Sequence, residues 1–599
     1  MAYKESSGRW HHIWLKIVAW RENHIKEKTF LILLALIAGI LCGLAALLLK
    51  WLIHIISTAV QTHVIVDRAN WIYLVYPVIG ILIVTLYVKY LVRDNISHGV
   101  TRVLFAISQR KSRLKKHNMY TSMVASSVTI GFGGSVGAEG PIVYTGAAIG
   151  SNIGQAFRLS PRILMLLVGC GAAAGIAGIF RAPIAGMLFT PEVLMIDLTG
   201  FTVMPLLIAS ITGATVAYIA EGYTNEFFFN QNIAWDTNKI PFTILLGVFC
   251  GFVSLYFTKV MMFMESTFRK IHSTTRRILL GGSIMAALIF LFPPLYGEGY
   301  DSINHLLAGD TSSIVDGTFF YVDRNSIWFI TIYIGLIVLM KAFATSATNG
   351  AGGVGGTFAP SLYVGAMAGF LFALVVNNFH MGITISNQNF ALLGMAGVMA
   401  GVMHAPLMAI FLTAEMTGGY ELFLPLLIVS ALSYGTIRVF EPYSIYAMRL
   451  ARRGELLTHQ KDKAVLTLLK LDNVIEHDFK VVHPEMSLKQ MIDVIALSHR
   501  NLFPVTDKEG YLKGVVLLDD IRNIMFRSDL YHKMHVQKFM SMPPAKIDIN
   551  ETMDSVMKKF DDTNAWNLPV VDKGKYIGFV SKSKIFNSYR QVLKHYVDD

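Results

Sequence analysis

The chain has 599 residues, of which 53% are hydrophobic and only 15% are charged, and its mean hydropathy is +0.49. A soluble protein of this length has no room to bury so much apolar surface, which excludes an ordinary soluble fold and predicts a membrane protein. The formal net charge is +12, but the basic residues cluster beside apolar segments, as they do in the cytoplasmic loops of membrane proteins. We therefore expect no nucleic-acid partner. The basic clusters are Arg21–Lys28, Arg110–Lys116 and Arg449–Arg453.

The polar N-terminal segment, 1–28, has Arg9 and Trp10 before any apolar run and therefore lacks the layout of a cleavable signal peptide. We expect it to be cytoplasmic. Apolar runs that suit about 30 Å of hydrocarbon then recur as far as Val439. They include Phe30–Ile56, Trp71–Val92, Ile240–Phe263 and Ile327–Ala342. The three cysteines lie inside apolar stretches without metal-site or disulfide spacing.

Two parts of this apolar region resemble each other, which predicts two related structural units. A shift of 219 residues aligns Pro141 with Pro360, and a shift of 223 residues aligns Glu192 with Glu415. Further aligned pairs are Tyr144 with Tyr363, Gly146 with Gly365, Gly171 with Gly394, Gly178 with Gly401, and Pro183 with Pro406.

Two matched segments, Gly131–Pro141 and Gly350–Pro360, contain too much glycine and proline to cross a membrane as simple helices. Irregular backbone is tolerated at membrane depth only where protein or a water-filled cavity satisfies its polar groups. In transporters built from two repeats, broken helices meet near the midplane and present free N–H groups to an anion. The alternative is that the glycines only allow helices to pack closely.

Glu139 is the ionisable residue of the first matched segment. A carboxylate at the N-terminus of a broken helix competes with an anion for the same N–H groups, so Glu139 is predicted to act as a gate. The alternative is that Glu139 simply caps a helix.

The motifs of this region resemble those of the CLC family of chloride channels and transporters. Gly137-Ala138-Glu139-Gly140-Pro141 is similar to the family's G-[KR]-E-G-P element, with Ala138 in place of the usual basic residue. The other similar elements are Gly356-Thr357-Phe358-Ala359-Pro360 (G-x-F-x-P), Ser444-Ile445-Tyr446 (S-I-Y) and Ala172–Glu192, with its A-P-I-A-G sequence. The resemblance implies an all-α polytopic membrane domain with two inverted-topology repeats and broken helices. It also implies a homodimer in a lipid bilayer that moves chloride or a related anion.

The resemblance further implies that the anion is bound by backbone amides of Gly356, Thr357 and Phe358 and by the hydroxyl of Tyr446. The family's Ser ligand, in G-S-G-I-P, has no direct match. In the corresponding stretch, which begins at Ser97, His98 takes the Ser position. Because a histidine changes charge near neutral pH, His98 would alter anion binding. Alternatively, Ser97 reaches the site after a shift of one residue.

A second departure concerns protons. Exchangers of the family usually carry an internal proton-transfer glutamate directly after the residue that matches Glu192, and here Val193 occupies that position. Because valine carries no proton, the sequence favours a passive chloride channel, with a proton-coupled chloride antiporter as the alternative. A membrane hydrolase is disfavoured because the spans contain neither H-E-x-x-H nor G-x-S-x-G, and no metal or cofactor is expected.

The tail contains a second repeat that resembles a pair of CBS modules. Asn501–Ile521 and Asn567–Phe586 share the order N-L, P-V, Asp, turn and strand, and the helical stretches Ser487–Ser498 and Thr552–Thr563 precede them. The resemblance implies a soluble α+β unit that can bind an adenine nucleotide, for which Asp520 and Ser581 are the candidate contacts. Alternatively, Asp520 caps a helix that begins at Ile521.

The predicted organisation is therefore a cytoplasmic segment over 1–28, a membrane domain over 29–455 and a cytoplasmic tail over 456–599. The two CBS modules are expected at about 476–530 and 536–595. The compact build suits a bacterial inner membrane, with both termini in the cytoplasm.

Overall fold

The computed structural model describes residues 21, 24–61, 74–109, 112–222, 226–227, 235–315, 318, 327–379, 383–452 and 471–588. The chain divides into two compact units, 1–456 and 457–599. The N-terminal segment 1–20, parts of all three basic clusters and the expected boundary at 455/456 lie outside the described residues.

Within the described residues of the first unit, the regular secondary-structure elements are helices, and eight helical segments are long and apolar enough to cross a membrane. Its helices are α1 Glu27–Gln61, α2 Tyr76–Leu86 (extended by a π-helical turn, Tyr87–Val92), α3 Gly99–Gln109, α4 Thr121–Gly131, α5 Glu139–Ala156, α6 Pro161–Phe180, α7 Pro183–Glu192, α8 Val203–Glu221, α9 Ile240–Lys270, α10 Thr274–Leu291, α11 Tyr300–Ala308, α12 Ser312–Val315, α13 Ile327–Ala351, α14 Phe358–Asn378, α15 Asn387–Met403, α16 Pro406–Thr417, α17 Phe423–Phe440 and α18 Ile445–Ala451. The prediction of an all-α membrane domain is confirmed.

Helices α6 and α15 show how the repeated sequence gives a repeated structure. Each begins after a serine, Ser160 or Ser386, whose hydroxyl accepts a hydrogen bond from a backbone N–H of the first turn. Each ends at a residue in the left-handed region, Arg181 and His404, both with φ of 55°. The stop therefore recurs at positions that the 223-residue shift pairs, whereas the two capping serines are 226 residues apart, because α15 is three residues shorter than α6.

Helices α7 and α16 follow these stops and are too short, at 10 and 12 residues, to cross a membrane alone. The carboxylate at the end of each accepts two hydrogen bonds from the N-terminal N–H groups of the other. The bonds run from Leu407 N (3.1 Å) and Met408 N (2.8 Å) to Glu192, and from Ile184 N (2.9 Å) and Ala185 N (2.9 Å) to Glu415. This reciprocal pairing is the arrangement expected of two repeats with inverted topology.

Other aligned glycines, which lie outside the two matched segments, serve close helix packing. A Cβ atom at Gly146 would lie 2.2 Å from the carbonyl oxygen of Gly171, and one at Gly365 would lie 2.3 Å from that of Gly394. The helix pairs α5–α6 and α14–α15 therefore touch backbone to backbone.

The second unit contains two similar α+β modules, as predicted. The first has helix α19 Leu488–Ala496, strands β1 Leu502–Thr506 and β2 Leu512–Leu517, and helix α20 Leu518–Ile521. The second has β3 Ile547–Asp548, α21 Met553–Thr563, β4 Asn567–Asp572 and β5 Lys575–Ser581. Strands β1 and β2 pair antiparallel, as do β4 and β5, while β3 runs parallel to β4.

The two modules contact each other through their hairpins. The N–H of Leu512 donates to the carbonyl of Gly574 at 3.1 Å, and the N–H of Tyr576 donates to the carbonyl of Gly510 at 3.0 Å. Buried Leu502 from one module packs with Phe579 from the other. The predicted association of the two modules is thus present.

Candidate anion and proton site

The carboxylate of Glu139 lies at the N-terminus of α14, in the opposite repeat. Its Oε1 atom accepts hydrogen bonds from the N–H groups of Phe358 (2.6 Å) and Ala359 (3.0 Å). These N–H groups belong to the first turn of a helix, where they lack intrahelical partners and favour a negative charge. Glu139 is only 1% exposed. Its Oε2 atom has no hydrogen-bond partner among the described residues.

Two glycines make room for this carboxylate. Gly137 and Gly356 pair antiparallel, with N–O distances of 3.1 and 2.7 Å, and join the segments that precede α5 and α14. A Cβ atom at Gly137 would lie 2.0 Å from Glu139 Oε2, and one at Gly356 would lie 2.3 Å from Oε1. Any side chain at either position would displace the carboxylate from the N–H groups of α14.

Tyr446 and Thr357 stand beside the same helix terminus. The hydroxyl of Thr357 lies 3.4 Å from the hydroxyl of Tyr446, and Tyr446 is 4% exposed. Ser444 caps α18 by accepting a hydrogen bond from Ala447 N–H at 3.3 Å, which fixes the start of the helix that carries Tyr446. The structure therefore brings Gly356, Thr357, Phe358 and Tyr446 together with Glu139.

The Ser97-His98 segment makes different contacts. The hydroxyl of Ser97 donates to Asn95 Oδ1 at 2.6 Å. His98, which has a left-handed φ of 56°, places its Nε2 atom 3.9 Å from Glu265 Oε1. Glu265 is also paired with Arg449 at 2.7 Å. The roles of Ser97 and His98 as anion ligands stay predictions.

Val193 lies directly after α7 and is 1% exposed. Neighbouring Glu192 is engaged at the N-terminus of α16 through both of its carboxylate oxygens. Glu192 is therefore held as a helix cap, and it is not positioned as a free acid that replaces the glutamate absent at Val193.

Sequence reasoning missed a second acid beside the gate. Glu298 Oε1 accepts a hydrogen bond of 2.8 Å from the N–H of Ala138, the residue that precedes Glu139. The only signal in the sequence was an acid in the Gly-Glu-Gly-Tyr segment after Pro293 and Pro294, which lies between two apolar runs. Lys341 carried a similar signal, as a charged residue inside an apolar run. It is fully buried and donates to the carbonyl of Gly297 at 3.1 Å.

A cavity of about 240 Å³ lies beside both acids, and we call it the gate cavity. Its lining residues are Lys50, Ile53, His54, Ser57, Ala138, Glu139, Ile179, Phe180, Glu226, Glu298 and Tyr300. The charge of Lys50 is paired, because its Nζ atom lies 3.1 Å from Glu226, which in turn lies 2.6 Å from Arg181. The lining of the gate cavity therefore contains both acids together with other polar and charged side chains.

In the tail, the two candidate nucleotide contacts make local hydrogen bonds. Asp520 Oδ2 accepts from Leu517 N–H at 3.4 Å. Asp520 is the third residue of a helix that begins at Leu518, and it contributes to the N-terminal cap of that helix. The capping role is thus present, but the expected helix start at Ile521 is wrong. The hydroxyl of Ser581 donates to Glu476 at 2.6 Å and accepts from Lys584 N–H at 3.0 Å.

Comparisons with known proteins give matches for both units of the chain. Residues 79–438 match the family model described as voltage gated chloride channel, and residues 471–527 and 536–590 match CBS domains. The voltage-gated ClC-type chloride channel ClcB of Citrobacter koseri is 26% identical over 70% of this chain and 99% of that protein. The H(+)/Cl(-) exchange transporter ClcA of Vibrio cholerae is 29% identical over 50% of this chain and 62% of that protein.

The fold also matches solved structures. That of a slow cyanobacterial Cl-/H+ antiporter superposes with a TM-score of 0.61 at 20% identity, over 72% of this chain and 98% of that chain. At this identity the similarity establishes a common fold.

Proposed function

Because the chain belongs to the voltage-gated chloride channel (CLC) family, we propose that it exchanges chloride for protons along one pathway gated by Glu139. It is a multi-span membrane protein of an anion-transporting family. The observation that carries the proposal is the Glu139 carboxylate, which is buried and bound by Phe358 N–H and Ala359 N–H at a site suited to an anion.

One position can hold either the carboxylate or chloride. Ionised Glu139 is attracted by the N-terminus of α14, an interaction worth up to about 2 kcal/mol in partly buried geometries. Protonation removes this attraction, so the side chain leaves and an anion takes its place. Chloride occupies the site only while Glu139 is protonated and displaced, so chloride binding and protonation of Glu139 are linked. Coupled exchange requires such a link.

Glu298 supports exchange over passive conduction. A channel needs only one gate, whereas a proton carrier needs groups that deliver and remove its proton. A second acid, Glu298, lines the gate cavity with Glu139 and is hydrogen-bonded to the N–H of Ala138. The Vibrio cholerae relative, named an exchange transporter, is a further argument for this activity.

A passive chloride channel is the second candidate, and Val193 favours it. A buried valine at the position of the internal proton-transfer glutamate leaves the inner half of a proton route without that acid. The name of the Citrobacter koseri relative, a chloride channel, agrees with this candidate.

Reconstitution into liposomes separates the two candidates. Liposomes loaded with chloride and diluted into low-chloride buffer, without a pH gradient, are monitored with an external pH electrode. Exchange predicts uphill proton uptake that stops when an uncoupler is added. Chloride efflux without proton movement would establish the channel.

We also propose that the protein is a homodimer with cytoplasmic termini. Lys50 lies 23 residues after the start of α1 at Glu27, or about 35 Å along the helix. If the basic start of α1 is cytoplasmic, the gate cavity opens on the opposite side. Cysteines introduced at the exposed Val439 and in the gate cavity should react with impermeant reagents from opposite sides of the membrane. Cross-linking in proteoliposomes should give a dimer.

The tail is proposed as a regulatory module that binds an adenine nucleotide. Because Asp520 and Ser581 already make local hydrogen bonds, we expect weak binding. Calorimetric titration of the purified protein with ATP tests this, and an Asp520→Ala, Ser581→Ala double variant with unchanged affinity would exclude both residues as contacts.

A further inference from the structure

We propose that Glu298 is a second proton carrier, which passes protons between the gate cavity and Glu139. This inference rests on the proposed exchange of chloride for protons. It assigns a role to an acid that the family motifs in this sequence do not include.

The first support is the position of the Glu298 carboxyl group at the N-terminus of α5, the helix that begins with Glu139. Its Oε1 atom lies 2.8 Å from the N–H of Ala138, directly before α5. Helix α5 begins at Glu139, so the Glu298 carboxyl group lies at the N-terminus of α5, while the Glu139 carboxylate lies at the N-terminus of α14. The pairing of Gly137 with Gly356 brings these two helix termini together. A helix N-terminus stabilises negative charge, and the ionised form of Glu298 is therefore favoured once it has given up its proton.

The second support is the unpartnered oxygen of Glu139. Oε1 is held by the N–H groups of Phe358 and Ala359, while buried Oε2 lacks a hydrogen-bond partner among the residues described. A buried carboxylate oxygen without a partner is costly. A proton on that oxygen, or movement of the side chain into the gate cavity, relieves the cost. Glu139 and Glu298 both line that cavity.

The third support is the set of contacts that fix the loop containing Glu298. Fully buried Lys341 donates to the carbonyls of Gly297 (3.1 Å) and Leu295 (3.4 Å), and its Nζ atom lies 4.6 Å from the ring centroid of Tyr363. Gly297 N–H also donates to the carbonyl of Gly133 at 3.2 Å. A buried ammonium group therefore ties the backbone beside Glu298 to α13, and holds the acid in place while Glu139 moves.

The surroundings of Glu298 contain several other titratable or charged groups. They are Lys50 and His54 from α1, Glu139 from α5, Glu226, Tyr300 from α11 and Lys341 from α13. Lys50 and Glu226 are paired with each other. Two carboxyl groups that line one cavity repel each other when both are ionised, which favours a state in which one of them is protonated.

The transfer is balanced in protons. The O–H bond of protonated Glu298 breaks as an O–H bond forms on the Glu139 carboxylate, which leaves Glu298 ionised on the N–H of Ala138. A hydronium ion in the gate cavity then restores the proton on Glu298 and becomes water. The reverse sequence releases a proton to the cavity.

The test is chloride-driven proton uptake by Glu298→Gln in liposomes. The glutamine oxygen still accepts from Ala138 N–H but cannot carry the proton. We expect proton uptake at least tenfold slower than in the wild type, and chloride affinity in calorimetry within twofold of the wild-type value. Glu298→Asp, which keeps a carboxyl group, should recover part of the rate. Glu221→Gln, a control at the more exposed Lys50 ion pair, should retain the full rate.

The outcomes distinguish this inference from the proposed function. Absence of proton uptake by the wild-type protein would overturn exchange itself. A coupled wild type with equally fast uptake by Glu298→Gln would overturn only the role of Glu298. Loss of chloride binding together with proton uptake in Glu298→Gln would show a structural role and also overturn the inference.

Discussion

The two repeats have the same backbone around the pathway but different side chains at one equivalent position. Helices α5 and α14 each begin after the paired glycines Gly137 and Gly356. The first residue is Glu139 in α5 and Phe358 in α14. The first repeat thus supplies the charged side chain, and the second supplies the N–H groups that bind it.

The short helices α7 and α16 provide the contrasting case. Glu192 and Glu415 occupy equivalent positions and make equivalent hydrogen bonds to each other's helix. At Glu192 and Glu415 the repeats keep the same residue, and its hydrogen bonds indicate a structural role. We propose that the difference between Glu139 and Phe358 creates the anion and proton site, and the following substitutions test this distinction.

The largest effect is expected at the asymmetric position. Glu139→Gln keeps an oxygen that accepts from Phe358 N–H and Ala359 N–H but removes the charge and the exchangeable proton. We expect proton uptake driven by a chloride gradient to fall at least tenfold while chloride efflux continues, measured in the same liposomes. Preserved coupling would remove Glu139 from the proton route.

A smaller effect is expected at Tyr446. Tyr446→Phe removes a hydroxyl beside the N-terminus of α14, and a hydrogen bond to a charged group contributes about 1.5 kcal/mol, or about tenfold in affinity. Calorimetry should therefore show chloride binding about tenfold weaker. Tyr443→Phe, at an exposed tyrosine on the same segment, is the control. Equal affinity in both variants would place the anion elsewhere.

The symmetric pair should affect stability and leave coupling intact. Glu192→Gln and Glu415→Gln each weaken a charged cap at a helix N-terminus, with an expected cost of about 1 kcal/mol. Thermal unfolding in detergent should show similar decreases in Tm for both variants, and their proton-to-chloride ratio should equal that of the wild type. Loss of coupling in only one of them would contradict the structural assignment.

The smallest effect is expected at His98. Because its ring lies 3.9 Å from Glu265, we expect His98→Ser to change chloride affinity less than twofold between pH 6 and pH 8. A larger change that follows the protonation of an imidazole would identify His98 as an anion ligand.

Local patterns in the sequence predicted much of the structure. The glycine- and proline-rich segments Gly131–Pro141 and Gly350–Pro360 located the breaks before α5 and α14, and the repeated order N-L, P-V, Asp, turn and strand located the hairpins of the tail. Each of these features depends on neighbouring residues or on a repeat.

The features that were not predicted depend on contacts between distant segments. Glu298 reaches Ala138 because Lys341 and Gly133 hold its loop, and no spacing in the sequence joins these positions. The environment of His98 likewise depends on Glu265 from α9. The motif identified His98 in the sequence, but its proximity to Glu265 results from the packing of α9.

The most direct test of the central claim is the zero-flux potential, which is the membrane potential at which net transport by the protein stops. It is measured in liposomes with a constant chloride gradient and a series of pH gradients. If chloride binding and protonation of Glu139 are linked, this potential shifts as the pH gradient is changed at constant chloride. The shift disappears in Glu139→Gln. A potential that stays at the chloride equilibrium value at every pH gradient would contradict the account and establish passive conduction.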